Sequence, residues 1–330
     1  MTKGDLPDSD SVVVLYIGGE GRSGSTVLAA LLGNRDGFFP VGEFRGMWEA
    51  LRTDELCGCG ESISSCEFWR RVGERGFGGW DRIDVEAMLA MDNRLARQRH
   101  IPRLLMSLSP YGKSAELNRY RQILARLYAT VKEVSGCSVI VDSTKDPAYA
   151  LLLRGVPGLD VRFIHLVRDS RGVAYSWGKK QVERPEYGQH PVLRNTFMNT
   201  RSSWKAALWW DAKNVLFQFA AISARYRLVT YESLMSEPVQ ELAHLSQFVG
   251  EDRIAPGETT QPCQTFEYLP FHTLGGNRVR FERGQIRLHA DEEWKTKMRP
   301  SQRLVVSTLT IPLLIAYGYV GFSMKHWRSG

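Results

Sequence analysis

The sequence predicts a three-layer α/β fold, a central parallel sheet with helices on both faces. Three stretches carry that expectation. Each is a short, largely apolar run with β-branched residues that ends in small or polar residues and leads into a helix-like pattern. They are Val12–Ile17 before GGEGRSGST, Ser138–Val141 before Asp142, Ser143, Thr144 and Lys145, and Val161–Val167 before RDSRGVAYSW. Strands that alternate with helical patterns imply parallel pairing, because parallel neighbours need a crossover connection.

The first stretch organises the rest. Val12–Ile17 is too short for a helix and is bounded by Gly18 and Gly19, so a buried strand is expected. Ser23, Gly24, Ser25 and Thr26 then stand where a helix begins. Free backbone N–H groups and the positive end of the helix dipole converge there, and small side chains let an anion approach the backbone. This reads as a phosphate cradle. Gly19, Gly24 and Thr26 fit the nucleotide-hydrolysing frame G-x-x-x-x-G-K-[ST], but Ser25 occupies the lysine position. A cation sits earlier instead, at Arg22, whose planar guanidinium can fork onto phosphate or sulfate oxygens.

Further strands are expected near Phe38 and Tyr226. From Glu49 to Val134 the hydrophobic period is helical, with candidates at Asp84–Arg97 and Ser114–Val134 separated by Pro102 and Pro110. We read one domain over 1–330, with a mainly helical insertion at about 49–134 and a C-terminal covering loop at about 262–284. In Thr196–Ser223, Trp204, Leu208, Asp211, Val215, Phe219 and Ile222 recur at helical spacing. That aromatic stripe is expected in the core, with Trp209 or Trp210 as the alternative wall of an acceptor pocket.

Leu304–Met324 is uncharged over about the length of a membrane span. Polar residues and glycines dilute it, and Pro312 would break or kink a helix near its middle. A packed C-terminal helix is therefore expected rather than a tail anchor. The N-terminus, MTKGDLPDSDS, has no apolar core of signal-peptide length, so a cytoplasmic enzyme is expected.

Composition narrows the classes without naming a function. With 330 residues, 43% hydrophobic and 24% charged, the chain can bury a substantial core and does not read as disordered. The formal charge of +7 and pI near 9.2 suit an anionic ligand. No homeodomain, zinc-finger or Lys/Arg-run pattern is present, so nucleic acid is not an expected partner. The cysteines Cys57, Cys59, Cys66, Cys137 and Cys263 are an odd set, against a fully disulfide-stapled framework. Three of them cluster in CGCGESISSCEFW. A metal with a fourth ligand from elsewhere and a Cys59–Cys66 disulfide are both open. Structural thiols or a local crosslink are favoured over metal, since no adjacent His or fourth Cys completes a zinc site.

Two of these motifs carry a family resemblance. GRSGST resembles the loop that holds the 5'-phosphosulfate in sulfotransferases using 3'-phosphoadenosine 5'-phosphosulfate (PAPS). LVRDSRGVAYS, with Ser176 eight residues after Arg168, resembles the segment that binds the 3'-phosphate in the same enzymes. VGEF at Val41–Phe44, STKDP at Ser143–Pro147, YRLVTYESLMSEP at Tyr226–Pro238 and HTLGGNRVR at His272–Arg280 extend the likeness over nearly the whole chain, most closely to bacterial, tyrosylprotein and carbohydrate sulfotransferases.

The resemblance implies a P-loop-like sulfotransferase fold and transfer of a sulfuryl group from PAPS to a hydroxyl of a small-molecule, carbohydrate or natural-product acceptor. It assigns cofactor binding to Arg22, Ser23, Gly24, Ser25, Thr26, Arg168, Ser176, Tyr231, Asn277 and Arg278. Catalysis falls to Arg22, Lys145 and Glu43. No metal is expected, because Arg22, Lys145 and the loop amides supply the positive field. A membrane partner is not expected, and a homo-oligomer is allowed.

Four residues are candidates for the base, namely Glu43, Asp142, His165 and His272. His165 lies inside a strand and is expected to be packed. His272 lies in the C-terminal loop. Asp142 is expected to be held ionised by Lys145, which would make it a weak base. Glu43, after a strand and the turn at Gly42, resembles the glutamate base of tyrosylprotein and some bacterial members, and is preferred. A P-loop kinase using ATP and magnesium and a non-catalytic PAPS-binding module are the alternatives.

Overall fold

The computed structural model describes residues 11–109, 114–179, 199–250 and 265–320. Its centre is a five-stranded sheet of β1 (Val12–Gly18), β2 (Phe38–Gly42), β3 (Val139–Asp142), β4 (Leu159–Val167) and β5 (Tyr226–Thr230), ordered β2-β3-β1-β4-β5. Every pairing is parallel. The expected strands thus form where the apolar runs placed them. Such a sheet is covered on both faces, which is why β1 is nearly continuously apolar. Val14 and Tyr16 point into one core layer, Leu15 and Ile17 into the other.

Thirteen described helices surround the sheet: α1 (Ser25–Gly33), α2 (Met47–Thr53), α3 (Glu67–Phe77), α4 (Val85–Leu95), α5 (Ile101–Met106), α6 (Ala115–Ser135), α7 (Pro147–Arg154), α8 (Ser170–Gly178), α9 (Ser203–Ala220), α10 (Tyr231–Ser236), α11 (Pro238–Phe248), α12 (Trp294–Lys297) and α13 (Pro300–Ala316). Helices α4 and α6 match the two candidates of the insertion, and each starts on a side-chain cap. Asp84 accepts from Ala87 N–H and Ser114 from Leu117 N–H. Strands β6 (Thr265–Tyr268) and β7 (Gly284–Arg287) form an antiparallel pair at the base of the C-terminal loop.

One local expectation needs correction, and one alternative falls away. In α9 the inward residues are Ala206, Ala207, Trp210, Asn214, Phe217 and Ala220, while Trp204, Leu208 and Phe219 are 50%, 47% and 48% exposed. The helix buries its small residues and polar Asn214, so hydropathy pointed to the wrong face. Trp210 is fully buried with its indole N–H donating to Arg168 O at 2.9 Å, so it does not wall a pocket. The cap of α8 is Asp169, which accepts from Arg171 N–H, and Ser170 is the first residue of the helix.

The C-terminal segment forms α13, which contains Pro312 and buries Val306, Thr310 and Leu314. Among the described residues no helix is long and apolar enough to cross a membrane.

The strand order places the crevice. The chain leaves β1 for one side of the sheet, returns through β3, and crosses to β4 on the other side of β1. The C-terminal ends of β1 and β4 therefore flank the point where the order reverses, the usual ligand position of open α/β sheets.

Candidate active site

The turn between β1 and α1 is built for close approach. Gly19 has φ +115°, and a side chain there would press on Leu166 O at 2.4 Å. Gly24 has φ +89° and is backed by the Tyr231 ring at 2.8 Å. Arg22 also adopts a left-handed conformation, with φ 69°, a geometry that costs about 1 kcal/mol and needs surrounding support. No side chain caps α1 and no acidic residue occupies its first turn. The Ser23 hydroxyl is buried without a hydrogen-bond partner among the described residues. A left-handed glycine turn, a buried hydroxyl and an uncapped helix N-terminus are together the kind of arrangement that suits an anion.

Trp177 of α8 supports this turn. The Arg22 guanidinium lies 5.0 Å from the Trp177 ring and the Arg201 guanidinium 4.0 Å from it, and Arg201 pairs with Glu20 at 2.7 Å. Burial raises the Glu20 carboxyl above its ordinary range against the pull of Arg201. Glu20, Trp177 and Arg201 were not singled out in the sequence. Only Glu20, inside GGEGRSGST, carried a local signal.

Glu43 and Lys145 meet at the C-terminal ends of β2 and β3, with Lys145 Nζ 2.6 Å from Glu43 Oε1 and 2.8 Å from Ser143 O. Lys145 is itself held at φ 65°. The Glu43 side chain is 37% exposed, so an acceptor can reach it, whereas Lys145 is 15% exposed. Behind Glu43, Arg45 bridges Asp92 and Asp146, each at 2.9 Å, which anchors the turn against α4 and the start of α7.

Asp142 departs from expectation. Lys145 turns to Glu43 instead, and Asp142 is fully buried, accepting from the Tyr128 hydroxyl at 2.6 Å and from Thr144 N–H and hydroxyl at 2.9 and 2.6 Å. Burial pushes its carboxyl up to about 6 despite those bonds.

The Gly-rich loop comes down over the same place. Leu274 N–H donates to Val41 O at 2.9 Å and Glu43 N–H to Leu274 O at 2.7 Å, continuing the edge of β2. Gly275 (φ +57°) passes so close that a side chain would meet Glu43 Cβ at 3.0 Å. Asn277 N–H reaches the Thr26 hydroxyl at 3.4 Å, and Asn277 Oδ1 accepts from Val279 N–H. The Arg278 side chain lies outside the described residues.

At the end of β4, Arg168 is 5% exposed. It donates to Arg22 O at 3.2 Å and to Asp291 O at 2.5 Å, pairs with the Asp291 carboxylate at 3.3 Å, and stacks on Tyr231 at 4.4 Å. The Tyr231 hydroxyl accepts from Asp291 N–H at 2.9 Å. Lys179, at the end of α8, reaches the same Asp291 carboxylate at 3.2 Å. Burial opposes ionisation of Asp291, but Arg168 and Lys179 hold its carboxyl below the usual range. Ser176 lies half-buried in the second turn of α8. Neither Asp291 nor Lys179 was foreseen, because no motif spans them.

The two histidines are otherwise engaged. His165 is fully buried between the Tyr226 hydroxyl at 2.7 Å and Asn214 Oδ1 at 2.8 Å. His272 stacks on Phe68 and turns Nδ1 toward the thiols of Cys57 and Cys66 at 3.7 and 3.2 Å. The neighbour missing from the cysteine motif thus comes from the C-terminal loop.

A sequence model of the sulfotransferase family matches residues 15–255. No curated protein matches the chain. Among solved structures, the sulfotransferase domain of an olefin synthase from Synechococcus PCC 7002 is 16% identical, with 94% of this chain and 98% of that one covered and a TM-score of 0.45. A sulfotransferase domain of the curacin biosynthetic pathway is also 16% identical, covering 91% and 98%, with a TM-score of 0.45. A sulfotransferase from Alicyclobacillus acidocaldarius is 12% identical, covering 94% and 96%, with a TM-score of 0.40.

Proposed function

The chain belongs to the sulfotransferase family, and from that premise we propose that it moves a sulfuryl group from PAPS to a hydroxyl of a small-molecule, carbohydrate or natural-product acceptor. The observation that carries the donor assignment is the 3.2 Å hydrogen bond from Arg168 to the carbonyl of Arg22. It joins the candidate reader of a 3'-phosphate to the cradle for the 5'-phosphosulfate, so both anionic ends of one nucleotide have cationic partners fixed relative to each other. The unpartnered Ser23 hydroxyl and the uncapped start of α1 fit a phosphate or sulfate group.

The donor supplies a sulfuryl group with a phosphate leaving group. In our reading Ser23, Gly24, Ser25 and Thr26 bind its 5' end. Arg168, Ser176, Tyr231, Asn277 and Arg278 hold the remainder of the nucleotide. Glu43 accepts the acceptor's hydroxyl proton as the new oxygen–sulfur bond forms. Arg22 and Lys145 face the oxygen on which the electron pair of the breaking sulfur–oxygen bond is left, where preorganised cations lower the barrier most. Lys145 can serve both ends of that displacement, because its ammonium already bonds the Glu43 carboxylate.

Incubation with labelled PAPS and a metabolite extract rich in hydroxyl compounds tests the reading, alongside calorimetry with 3'-phosphoadenosine 5'-phosphate. A sulfated product and nucleotide binding that weakens without the 3'-phosphate are expected. Transfer of phosphate from ATP and magnesium, with no binding of the bisphosphate, would overturn it in favour of a kinase. Binding without turnover on any acceptor would favour a non-catalytic module.

A further inference from the structure

The sequence leaves Cys57, Cys59 and Cys66 without a fourth ligand, and the fold supplies one from 206 residues away. The ligating atoms of Cys57, Cys59, Cys66 and His272 all lie within 4.8 Å of one another. Cys59 Sγ is 3.8 Å from Cys66 Sγ, Cys57 Sγ is 3.7 Å from His272 Nδ1, and Cys66 Sγ is 3.2 Å from His272 Nδ1. In a tetrahedral site with a zinc–sulfur bond of about 2.3 Å, the sulfur–sulfur edge is about 3.8 Å and the sulfur–nitrogen edge slightly shorter. A disulfide accounts for less. Its sulfurs would stand about 2.05 Å apart, and it would leave a thiol and an imidazole converging on nothing.

We propose that Cys57, Cys59, Cys66 and His272 bind one structural Zn²⁺ that staples the segment before α3 to the C-terminal loop.

The surroundings fit that use. Four protein ligands close a tetrahedron and leave no open position, as in structural rather than catalytic zinc sites. Cys57 and Cys66 are fully buried or nearly so. Cys66 precedes α3 and makes no capping bond with its side chain, so its sulfur points at the cluster from the favourable end of the helix dipole. The His272 ring is fixed by stacking on Phe68, with centroids 4.9 Å apart and planes at 12°.

The backbones that carry the ligands are zipped together as well. Gly58 N–H donates to Thr273 O at 2.9 Å, and a side chain on Gly58 would strike the Thr273 hydroxyl at 2.4 Å. Three thiolates around Zn²⁺ leave one net negative charge. Arg283, bonded to Gly58 O at 2.5 Å, places positive charge beside the cluster, whereas Arg280, bonded to Leu56 O at 3.0 Å, is already paired with the Glu55 carboxylate at 2.8 Å. Binding releases the three thiol protons to solvent and involves no redox step.

The site's consequence runs through Thr273 and Leu274 to Gly275, the residue that covers Glu43. Zinc would therefore fix the covering loop without touching the reacting groups.

The full chain, purified under reducing conditions, is expected to contain one equivalent of zinc by elemental analysis. Replacing the zinc with cobalt is expected to give the thiolate charge-transfer and strong visible bands of a tetrahedral sulfur-rich site. Cys59→Ser and His272→Ala are expected to lose most of the metal, whereas His272→Cys keeps it. Should those variants fail to fold, mercurial modification of the parent protein must release zinc in step with loss of three thiols. Absence of zinc together with no uptake of zinc or cobalt after reduction would overturn the proposal. So would a stoichiometric Cys59–Cys66 disulfide in protein purified anaerobically, or zinc retained in full by the Cys59→Ser/His272→Ala double variant. None of these readouts depends on PAPS, so their outcome is separable from that of the donor assignment.

Discussion

Lys145 Nζ sits 2.6 Å from Glu43 Oε1, an ion pair across 102 residues that closes the C-terminal ends of two neighbouring strands. In the proposed base role Glu43 would exchange that partner for the acceptor's proton, and the ammonium would then serve the developing charge nearby. Glu43→Gln keeps shape and hydrogen bonding but removes proton affinity. It is expected to lower kcat by about 100-fold or more, with nucleotide affinity within a few-fold of the parent. Steady-state kinetics beside calorimetry separates the two effects. Normal turnover in this variant would remove Glu43 from the base role.

Arg168 is expected to be the largest single determinant of nucleotide affinity. It is buried, and its charge faces Asp291, which Lys179 also contacts. A 3'-phosphate bound there would compete with that carboxylate for the same cations. Arg168→Ala should therefore weaken 3'-phosphoadenosine 5'-phosphate by about 2 to 4 kcal/mol, and a nucleotide lacking the 3'-phosphate by much less. Asp291→Asn should strengthen the bisphosphate several-fold by removing the competing charge. An equal loss for both nucleotides in Arg168→Ala would show that the arginine only supports the fold.

The sheet was legible because buried parallel strands are short, apolar and bounded by glycine or polar residues, as in Val12–Gly18 and Leu159–Val167. The turn after β1 and the positions of Glu43, Lys145 and Arg168 at strand ends were legible because strand ends in this topology face one crevice. What failed involved partners distant in sequence. No local pattern ties Cys66 to His272, or Arg168 to Asp291. The face of α9 was misassigned because Asn214 is buried to bond His165, a tertiary requirement that hydropathy counts against burial.

Gly42 tests the covering loop. Its φ is +78°, and a side chain would lie 2.2 Å from Leu274 O and 2.7 Å from Leu274 N. Gly136 has a similar φ of +68° but open space around it. Gly136→Ala should cost about 1 kcal/mol from backbone strain alone. Gly42→Ala should cost about 1 to 3 kcal/mol more, because backbone must shift, and it should weaken nucleotide binding as the loop lifts from Glu43. Thermal unfolding of both variants measures the difference. Equal losses would mean that the contact between Gly42 and Leu274 does not hold the loop.

His165 should make the folded state sensitive to acid. Burial pushes its pKa down to about 4, only partly offset by the hydrogen bond to Asn214. Asn214 donates its amide to Trp210 O, so its oxygen faces the ring and Nε2 carries the proton, leaving Nδ1 to accept from Tyr226. Protonating Nδ1 would break that arrangement. The unfolded chain, with an ordinary histidine pKa of about 6.5, binds more protons across this window, so stability falls as pH drops from about 6.5 to about 4. The full loss is about 3 kcal/mol. Asp142 works in the opposite direction. Its carboxyl, pushed up to about 6 by burial, favours the folded state as it becomes protonated. Burial raises the carboxyl of Asp211 to about 6 as well, and those of Glu20, Asp92 and Glu232 upward, so the raw pH profile mixes several groups and only a difference between variants isolates the histidine. His165→Gln should be less stable than the parent at neutral pH through lost packing, and the gap should narrow steadily toward pH of about 4. Urea unfolding of both proteins across that range measures it. A gap that stays constant would mean that His165 is not held neutral.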